Sequence, residues 1–334
     1  MDTKIDFVLT WLDDSDAFWL KQKEKYDTGS ENDSNSCVRY RDWGLLKYWF
    51  RATEENAPWV NRIFFVTCGQ KPDWLKVDNP KLVLVDHEDY IPHDALPTFN
   101  SNVIELYFNR IKGLNEQFVY FNDDVFLNAK VKSADFFKEG LPVDKLAFNA
   151  VSAKSENRII EHTILNNLEL LSRDFSKKEI TKRMWAKIYS LKNRSGAVKS
   201  LLLAPWSNFT GIENHHSAQP FLKSSYDAVW RKYNKWLLGM NNNKFRTKDD
   251  YSWWVVRYYQ LFAGKYYPSS LRDRKFYNIS SDLEQVVSDI GRKKHKIICI
   301  NDSDNNSAYE ADRARLIKAL EKRYPKKSSF EVGA

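Results

Sequence analysis

The chain has 334 residues, enough for one large or two ordinary domains with an ample core. Its 52 lysines and arginines outweigh 44 aspartates and glutamates, giving a net charge of +8. That balance suits anionic partners such as nucleotide-sugars, acidic glycans or an anionic membrane face, but without a matching motif it excludes a nucleic-acid binder. Cys37, Cys68 and Cys299 are too few and too scattered for a disulfide framework or a zinc site, which points to a reducing compartment. The opening Met1-Asp2-Thr3-Lys4 lacks the basic-then-apolar order of a secretory signal. No apolar run reaches the roughly 18 residues of a membrane span. A cytoplasmic protein is expected, with basic surface that can touch the inner face of the plasma membrane.

Residues 4–12 read as a first strand, followed by Asp13-Asp14-Ser15-Asp16 and a helix over 18–26. An acidic loop between the first strand and helix is where α/β folds receive a nucleotide, and Ser15 or Asp16 can equally cap the helix. Residues 27–36 are polar and read as a loop. Arg39-Tyr40-Arg41-Asp42 then opens a helix through Leu45, Leu46, Trp49 and Phe50. Its two arginines can clamp a phosphate, or simply decorate an exposed helix start. Strands follow at 62–67 and 81–85. The cluster Asp86-His87-Glu88-Asp89 is read as a solvated loop. Asn100 or Ser101 caps a helix over 103–111.

Next comes Gln117-Phe118-Val119-Tyr120-Phe121-Asn122-Asp123-Asp124-Val125. A near-continuous apolar run of this kind suits a parallel strand buried on both faces. Two carboxylates at its carboxyl end lie where open α/β sheets bind ligands. Oxygen ligands there suit Mg²⁺ or Mn²⁺, which would hold a diphosphate; a polar turn that merely ends the strand is the alternative.

A short helix is expected from Ser133, and basic, amphipathic helices over 155–205, read as a lid, acceptor groove, membrane-facing surface or plain helical insertion. His215 and His216 are adjacent and cannot point the same way. Thr247 caps an aromatic helix, with Asp250 three residues on in a structural role and Arg246 outside the cap, free to reach an anion. A last strand over 296–300 ends in Asn301-Asp302-Ser303, and a final helix spans 309–324. The expected architecture is α/β: a glycosyltransferase-A-like mixed sheet flanked by helices, with a helical insertion. It divides into a nucleotide-sugar core (1–150), the insertion (151–210) and a segment returning to complete the site (211–334). No Gly-x-Gly-x-x-Gly follows a strand, so a dinucleotide fold is excluded.

Four blocks together resemble the Stealth family of sugar-1-phosphate transferases, which includes bacterial capsule and exopolysaccharide phosphotransferases. The first is Ile5-Asp6-Phe7-Val8-Leu9-Thr10-Trp11-Leu12-Asp13-Asp14-Ser15-Asp16. The second begins Arg39-Tyr40-Arg41-Asp42, passes Ala57-Pro58-Trp59-Val60 and Leu96-Pro97-Thr98-Phe99-Asn100-Ser101, and ends Tyr120-Phe121-Asn122-Asp123-Asp124-Val125. The third runs from His215-His216 to Arg246 and Asp249-Asp250, with Pro220 displaced from the family's His-x-Pro. The fourth is Cys299-Ile300-Asn301-Asp302, with Ser328-Ser329-Phe330-Glu331 as a tail.

The resemblance implies transfer of a hexose-1-phosphate, N-acetylglucosamine-1-phosphate above all, from a UDP-sugar to a hydroxyl of an oligosaccharide or lipid-linked glycan, releasing UMP. It implies a metal site at Asp123, Asp124 and Asp302. It further implies a base at His216, with His215 as the other candidate, and Arg246 on the phosphoryl oxygens. Trp11, Asp13, Asp16, Arg39, Arg41, Asp42, Asn100 and Ser101 would form the donor pocket. A glycosyltransferase releasing UDP and a non-catalytic glycan binder are the rival readings.

Overall fold

The computed structural model describes residues 4–27, 40–152, 159–302 and 308–333. Arg39, Cys37 and the polar stretch 28–36 lie outside them. In chain order the strands are β1 (Ile5–Thr10), β2 (Ile63–Thr67), β3 (Leu82–Asp86), β4 (Gln117–Phe121), β5 (Val125–Leu127), β6 (Phe137–Lys138), β7 (Leu141–Asp144), β8 (Gln219–Leu222), β9 (Tyr267–Pro268), β10 (Arg274–Asn278) and β11 (Ile297–Asn301). The helices are α1 (Ala17–Tyr26), α2 (Leu46–Asn56), α3 (Ser101–Leu106), α4 (Ile159–Ser172), α5 (Lys177–Arg183), α6 (Trp185–Ile188), α7 (Ser195–Leu202), α8 (Lys223–Leu237), α9 (Trp254–Phe262), α10 (Ile279–Arg292) and α11 (Tyr309–Arg323).

The main sheet has the order β3-β2-β1-β4-β8. β1 to β4 are parallel and β8 is antiparallel to β4. Successive residues point to opposite faces, so the apolar runs of β1, β2 and β4 feed two cores at once. Phe7, Leu9, Ile63, Phe65, Val119 and Phe121 pack against α2, α10 and α11. Val8, Phe64, Val66, Phe118 and Tyr120 pack on the other side against α3, α4, α8 and α9. Shifting one strand by one residue would exchange the two sets, and Tyr120 with them. The carboxyl-terminal tail closes the first layer. Phe330 lies against Phe50, and Arg51 pairs bidentately with Glu331, 2.7 Å on both bonds.

Two small sheets flank the large one. In β10-β11-β5, β11 runs antiparallel to β5, which follows β4 after one tight turn. The last strand is thereby delivered to the end of the central one. The second small sheet is β6-β7-β9. Helices α4 to α7 occupy most of the stretch expected to be helical, with α4 against α9. Among the described residues no helix is long and apolar enough to cross a membrane.

Several expectations need correction. Thr247 caps no helix: α9 starts only at Trp254, and the Thr247 hydroxyl donates to Asp250 instead. The helix after Asn100 ends at Leu106 and gives way to a 3-10 turn over Phe108–Arg110. Residues 219–222 form a strand where only a helix approach was expected. Pro220, which has no N–H, is tolerated because β8 is an edge strand.

One buried ion pair joins three of these parts. Arg257 of α9 holds Asp144 of β7 through two 2.9 Å hydrogen bonds, both groups being buried. The same guanidinium donates to Asn214 Oδ1 at 2.9 Å and to the Glu213 carbonyl at 3.2 Å. Burial acts to raise the Asp144 pKa, but the Arg257 charge and its hydrogen bonds outweigh it and hold the carboxyl below the ordinary value. A depressed folded pKa stabilises above the unfolded value and is lost as pH falls through the folded one. Asp144→Ala leaves Arg257 buried and unpaired and should cost about 3–5 kcal/mol at neutral pH. The deficit, read from urea midpoints, should shrink below about pH 3.9. A neutral-pH loss under about 1 kcal/mol would show that the pair does not hold this junction.

Candidate active site

β4 ends at Phe121, and the turn Asn122-Asp123-Asp124 closes with Val125 N–H donating to the Asn122 carbonyl at 3.1 Å. Because β4 is buried on both faces, the first polar side chains that can reach solvent are those of the turn. Ile300 N–H of β11 donates to the Asp124 carbonyl at 2.8 Å, fixing the turn from the other side. The Asp124 side chain sits where three segments converge. Its Oδ2 lies 2.9 Å from His216 Nε2 and accepts from Cys299 Sγ at 3.2 Å. Its Oδ1 is buried without a hydrogen-bond partner. Asp123 is exposed at the mouth of the same crowded cleft. Lost hydration first, then the negative charges of Asp124 and Asp42, push its pKa upward.

An orphaned carboxylate oxygen beside a second carboxylate fits a cation. Among the described residues, Asp124, His216 and Cys299 place their ligand atoms within 4.8 Å of one another. Burial and the Asp124 charge hold the Cys299 thiol far above its usual pKa, and the thiol donates its hydrogen to Asp124. The hard oxygen donor in this group is Asp124, and Asp123, next to it in the turn but outside the group, could supply a second; such carboxylates suit Mg²⁺ or Mn²⁺. Asp302, the third ligand suggested by the sequence, is not in this group. Its Oδ2 accepts from Arg41 Nη2 at 2.6 Å, Arg41 Nε at 2.9 Å and Trp43 Nε1 at 3.0 Å. Asp302 therefore anchors Arg41 at the end of β11.

The two adjacent histidines separate cleanly. Burial disfavours the charged form of His216, but the Asp124 carboxylate more than offsets this, so its pKa is raised. His215 points to the other side, with Nε2 3.6 Å from Glu213 Oε1. Burial first, and the Arg257 charge second, lower its pKa to about 4. It is neutral at physiological pH.

Arg246 comes from a loop organised by one buried carboxylate. Asp250 accepts from Asn100 at 2.7 Å, Asn102 at 3.1 Å, Asn243 at 2.8 Å and Thr247 at 2.9 Å. This locks the 243–250 loop to the start of α3, where Arg246 donates to the Ser101 hydroxyl. Beneath lies Glu105, one helical turn after Ser101 on the same face. The Tyr120 hydroxyl donates to Glu105 at 2.7 Å and also touches Asn122. Burial pushes Glu105 up to about 7, while the Arg246 charge and the Tyr120 hydrogen bond pull it back. Glu105 and Ser101 stand on one face of α3, so the Tyr120 hydroxyl links the segment that holds Arg246 to Asn122 in the turn that carries Asp124. Glu105, Tyr120 and Cys299 were not anticipated. An acid within the apolar face of a short helix was the one available signal.

The remaining residues divide by exposure. Asp13 binds the Ser15 hydroxyl at 2.6 Å and shares two hydrogen bonds with Gln70, so the β1 loop is braced by the β2 loop. Asp16 caps α1 through Trp19 N–H. Asp42 is tied to the same loop, its N–H donating to Asp14 at 3.2 Å, and burial raises its pKa. Trp11 and Asn100, expected as donor contacts, are instead buried. Trp11 stacks on Phe65, and Asn100 spends its amide on Asp250 and neighbouring carbonyls.

Comparison with known proteins fits this arrangement. Residues 39–143 match the family model for Stealth protein conserved region 2, and residues 288–334 that for conserved region 4. The chain is 42% identical to the capsular polysaccharide phosphotransferase WcwK of Streptococcus pneumoniae, over 98% of each chain. It is 39% identical to the exopolysaccharide phosphotransferase cps2G of Lactiplantibacillus plantarum, over 98% of this chain and 96% of that one. The chain belongs to the Stealth family of phosphotransferases. A solved glycosyltransferase, GlyE of Streptococcus pneumoniae TIGR4, aligns over 93% of this chain and 79% of its own at 9% identity. Its TM-score of 0.25 is too low to equate the two folds.

In this Stealth phosphotransferase the Asp250 hub positions Arg246 without touching the cleft itself. Asp250→Asn keeps the size but removes the charged acceptor. Hydrogen bonds to a charged group contribute about 1.5–3 kcal/mol each. The expected outcome is a lowered melting temperature and turnover down about tenfold or more, with Arg246→Ala adding little further loss in the double variant. Fully additive losses would mean that Asp250 does not act through Arg246.

Proposed function

We propose that this Stealth phosphotransferase moves hexose-1-phosphate, most readily N-acetylglucosamine-1-phosphate, from a UDP-sugar to a hydroxyl of a growing capsular or exopolysaccharide chain. The acceptor is an oligosaccharide or a lipid-linked glycan. The acceptor oxygen bonds to the phosphorus next to the donor sugar, the bond from that phosphorus to the UMP oxygen breaks, and a phosphodiester results. The observation that carries this reading is the hydrogen bond between His216 and Asp124 at the end of β4, in a cleft that also holds Arg246.

Attack at phosphorus needs a base for the hydroxyl proton and a cation on the phosphoryl oxygens. With Nε2–H donated to Asp124, the Nδ1 lone pair of His216 takes the acceptor proton. Arg246, steadied by Ser101 with Glu105 beneath it, meets the phosphoryl oxygens as charge develops there. Asp123 and Asp124 would hold Mg²⁺ or Mn²⁺, whose charge neutralises the donor diphosphate. Asp13, Arg41 and Asp42 frame the nucleotide pocket at the ends of β1 and β11. A cytoplasmic location, where nucleotide-sugars are at hand, goes with this reading.

Incubation with UDP-N-acetylglucosamine and acceptor should release UMP, and the product should show a phosphodiester signal by ³¹P NMR. UDP with a phosphorus-free product would make the enzyme a glycosyltransferase instead. His216→Ala should lose about 10²–10⁴-fold in turnover with donor affinity little changed. His215→Ala should lose far less, because that ring faces Glu213. Equal losses in the two variants would remove His216 from the base role.

A further inference from the structure

Helix α7 is turned the wrong way for a water-soluble surface. Its buried residues are Gly196 and Ser200. Gly196 abuts Ala147 and Lys145 so closely that a Cβ would come within 2.7 Å of both. The Ser200 hydroxyl donates to the Gly196 carbonyl at 2.7 Å and accepts from Phe148 N–H at 2.9 Å. The apolar residues of the same helix face outward: Val198 is 60%, Leu201 59% and Leu202 68% exposed. These positions, i, i+3 and i+4, form one stripe. Leu191 (96%), Trp185 (59%) and Trp206 (56%), in the segments just before and after α7, are exposed as well. Exposed apolar groups grouped in this way mark an interaction surface.

The charge around the stripe selects its partner. Lys178, Lys182, Lys192 and Arg194 are exposed, and Glu179 is the single acid in residues 177–206. Apolar and tryptophan side chains ringed by cations match the interfacial zone of a bilayer with anionic headgroups. A second copy docked through the same face would set these cations against themselves, since a two-fold contact pairs a patch with its own copy. The inner side of α7 also reaches the catalytic segment. Lys199 lies 3.4 Å from Glu213, three residues before His216.

We infer that the surface formed by α6, α7 and residues 203–206 docks this enzyme on an anionic lipid bilayer. The stripe is inserted at the boundary between headgroups and acyl chains and the lysines lie over lipid phosphates. Docked this way, the His216 segment lies about one helix diameter, ~10 Å, from the membrane, where a lipid-linked acceptor is presented. That last point rests on the reading of the acceptor given above; the docking does not.

The test is vesicle co-sedimentation of the full chain without donor or acceptor. Wild-type protein should pellet with phosphatidylcholine–phosphatidylglycerol vesicles and much less with phosphatidylcholine alone. A triple variant Val198→Ser, Leu201→Ser, Leu202→Ser should stay in the supernatant. A Lys182→Gln, Lys192→Gln, Arg194→Gln variant should bind about a hundredfold more weakly to the anionic vesicles. Both substitution sets are on exposed positions, and unchanged circular dichroism together with unchanged turnover on a soluble acceptor confirms that the variants are folded. Wild-type protein that ignores anionic vesicles overturns the inference. So does a concentration-dependent dimer, seen by light scattering and abolished by the triple serine variant, which would make the stripe an interface between copies. Vesicle binding that persists in a variant without phosphotransferase activity leaves docking standing and counts against the reaction alone.

Discussion

The central constraint is that β4 has no wet face. It lies between β1 and β8, with a packed layer above and another below. An ionised carboxylate anywhere within it would be buried unpaired at a cost of several kcal/mol. The acids of this segment can exist only past its last residue, in the turn to β5. That turn directly joins the main sheet to the β10-β11-β5 sheet, so whatever β11 carries arrives beside it. Asp124 consequently receives a hydrogen bond from β11 through Cys299 and one from the approach to β8 through His216. One strand's burial decides where the charged chemistry is placed.

The same cleft collects more negative charge than its own side chains neutralise. Asp42, Asp123 and Asp124 stand together, with Glu105 behind them, and loss of hydration raises the pKa of Asp42, Asp123 and Glu105. His216 and Arg246 offset part of this. Asp302, by contrast, is fully compensated by Arg41 and Trp43. The imbalance at Asp123 and Asp124, with one buried oxygen left over, is what a phosphoryl-transfer site requires if a cation and an anionic donor are to enter together. A preformed neutral cluster would have to be broken first.

Positioning is done from a distance by two buried ionic hubs. Asp144 with Arg257 sets the course of residues 213–216 and so aims the two histidines. Asp250 with three asparagines and Thr247 sets the course of Arg246. Both hubs join residues more than a hundred positions apart in the chain. Such networks must be fully satisfied to be stable in the interior. That requirement gives His216 and Arg246 their fixed directions.

The parts of this structure legible in the sequence were those set by local physics. β1, β2, β3 and β4 announce themselves as apolar runs. α1 carries its cap at Asp16, and the acids past β4 stand out because an apolar run stops at them. The four motif blocks carried the family. What a sequence cannot express is direction. Asn100 and Trp11 looked like donor contacts and are buried, Asn100 at the N-cap of α3 bonded to Asp250 and Trp11 just past β1 stacked on Phe65. Asp302 looked like a ligand and pairs with Arg41. β8 was hidden by Pro220, which only its place at the sheet edge makes admissible. Glu105 and Cys299 were ordinary core residues until tertiary packing put them next to Arg246 and Asp124. His215 and His216 are neighbours in the chain, and their spacing could only favour one of them. The antiparallel pairing of β8 with β4 turns His216 toward a carboxylate 92 residues away and His215 toward Glu213. Residue type and local period determined the elements and the kind of chemistry. Strand pairing, which depends on contacts distant in sequence, decided which side chains meet.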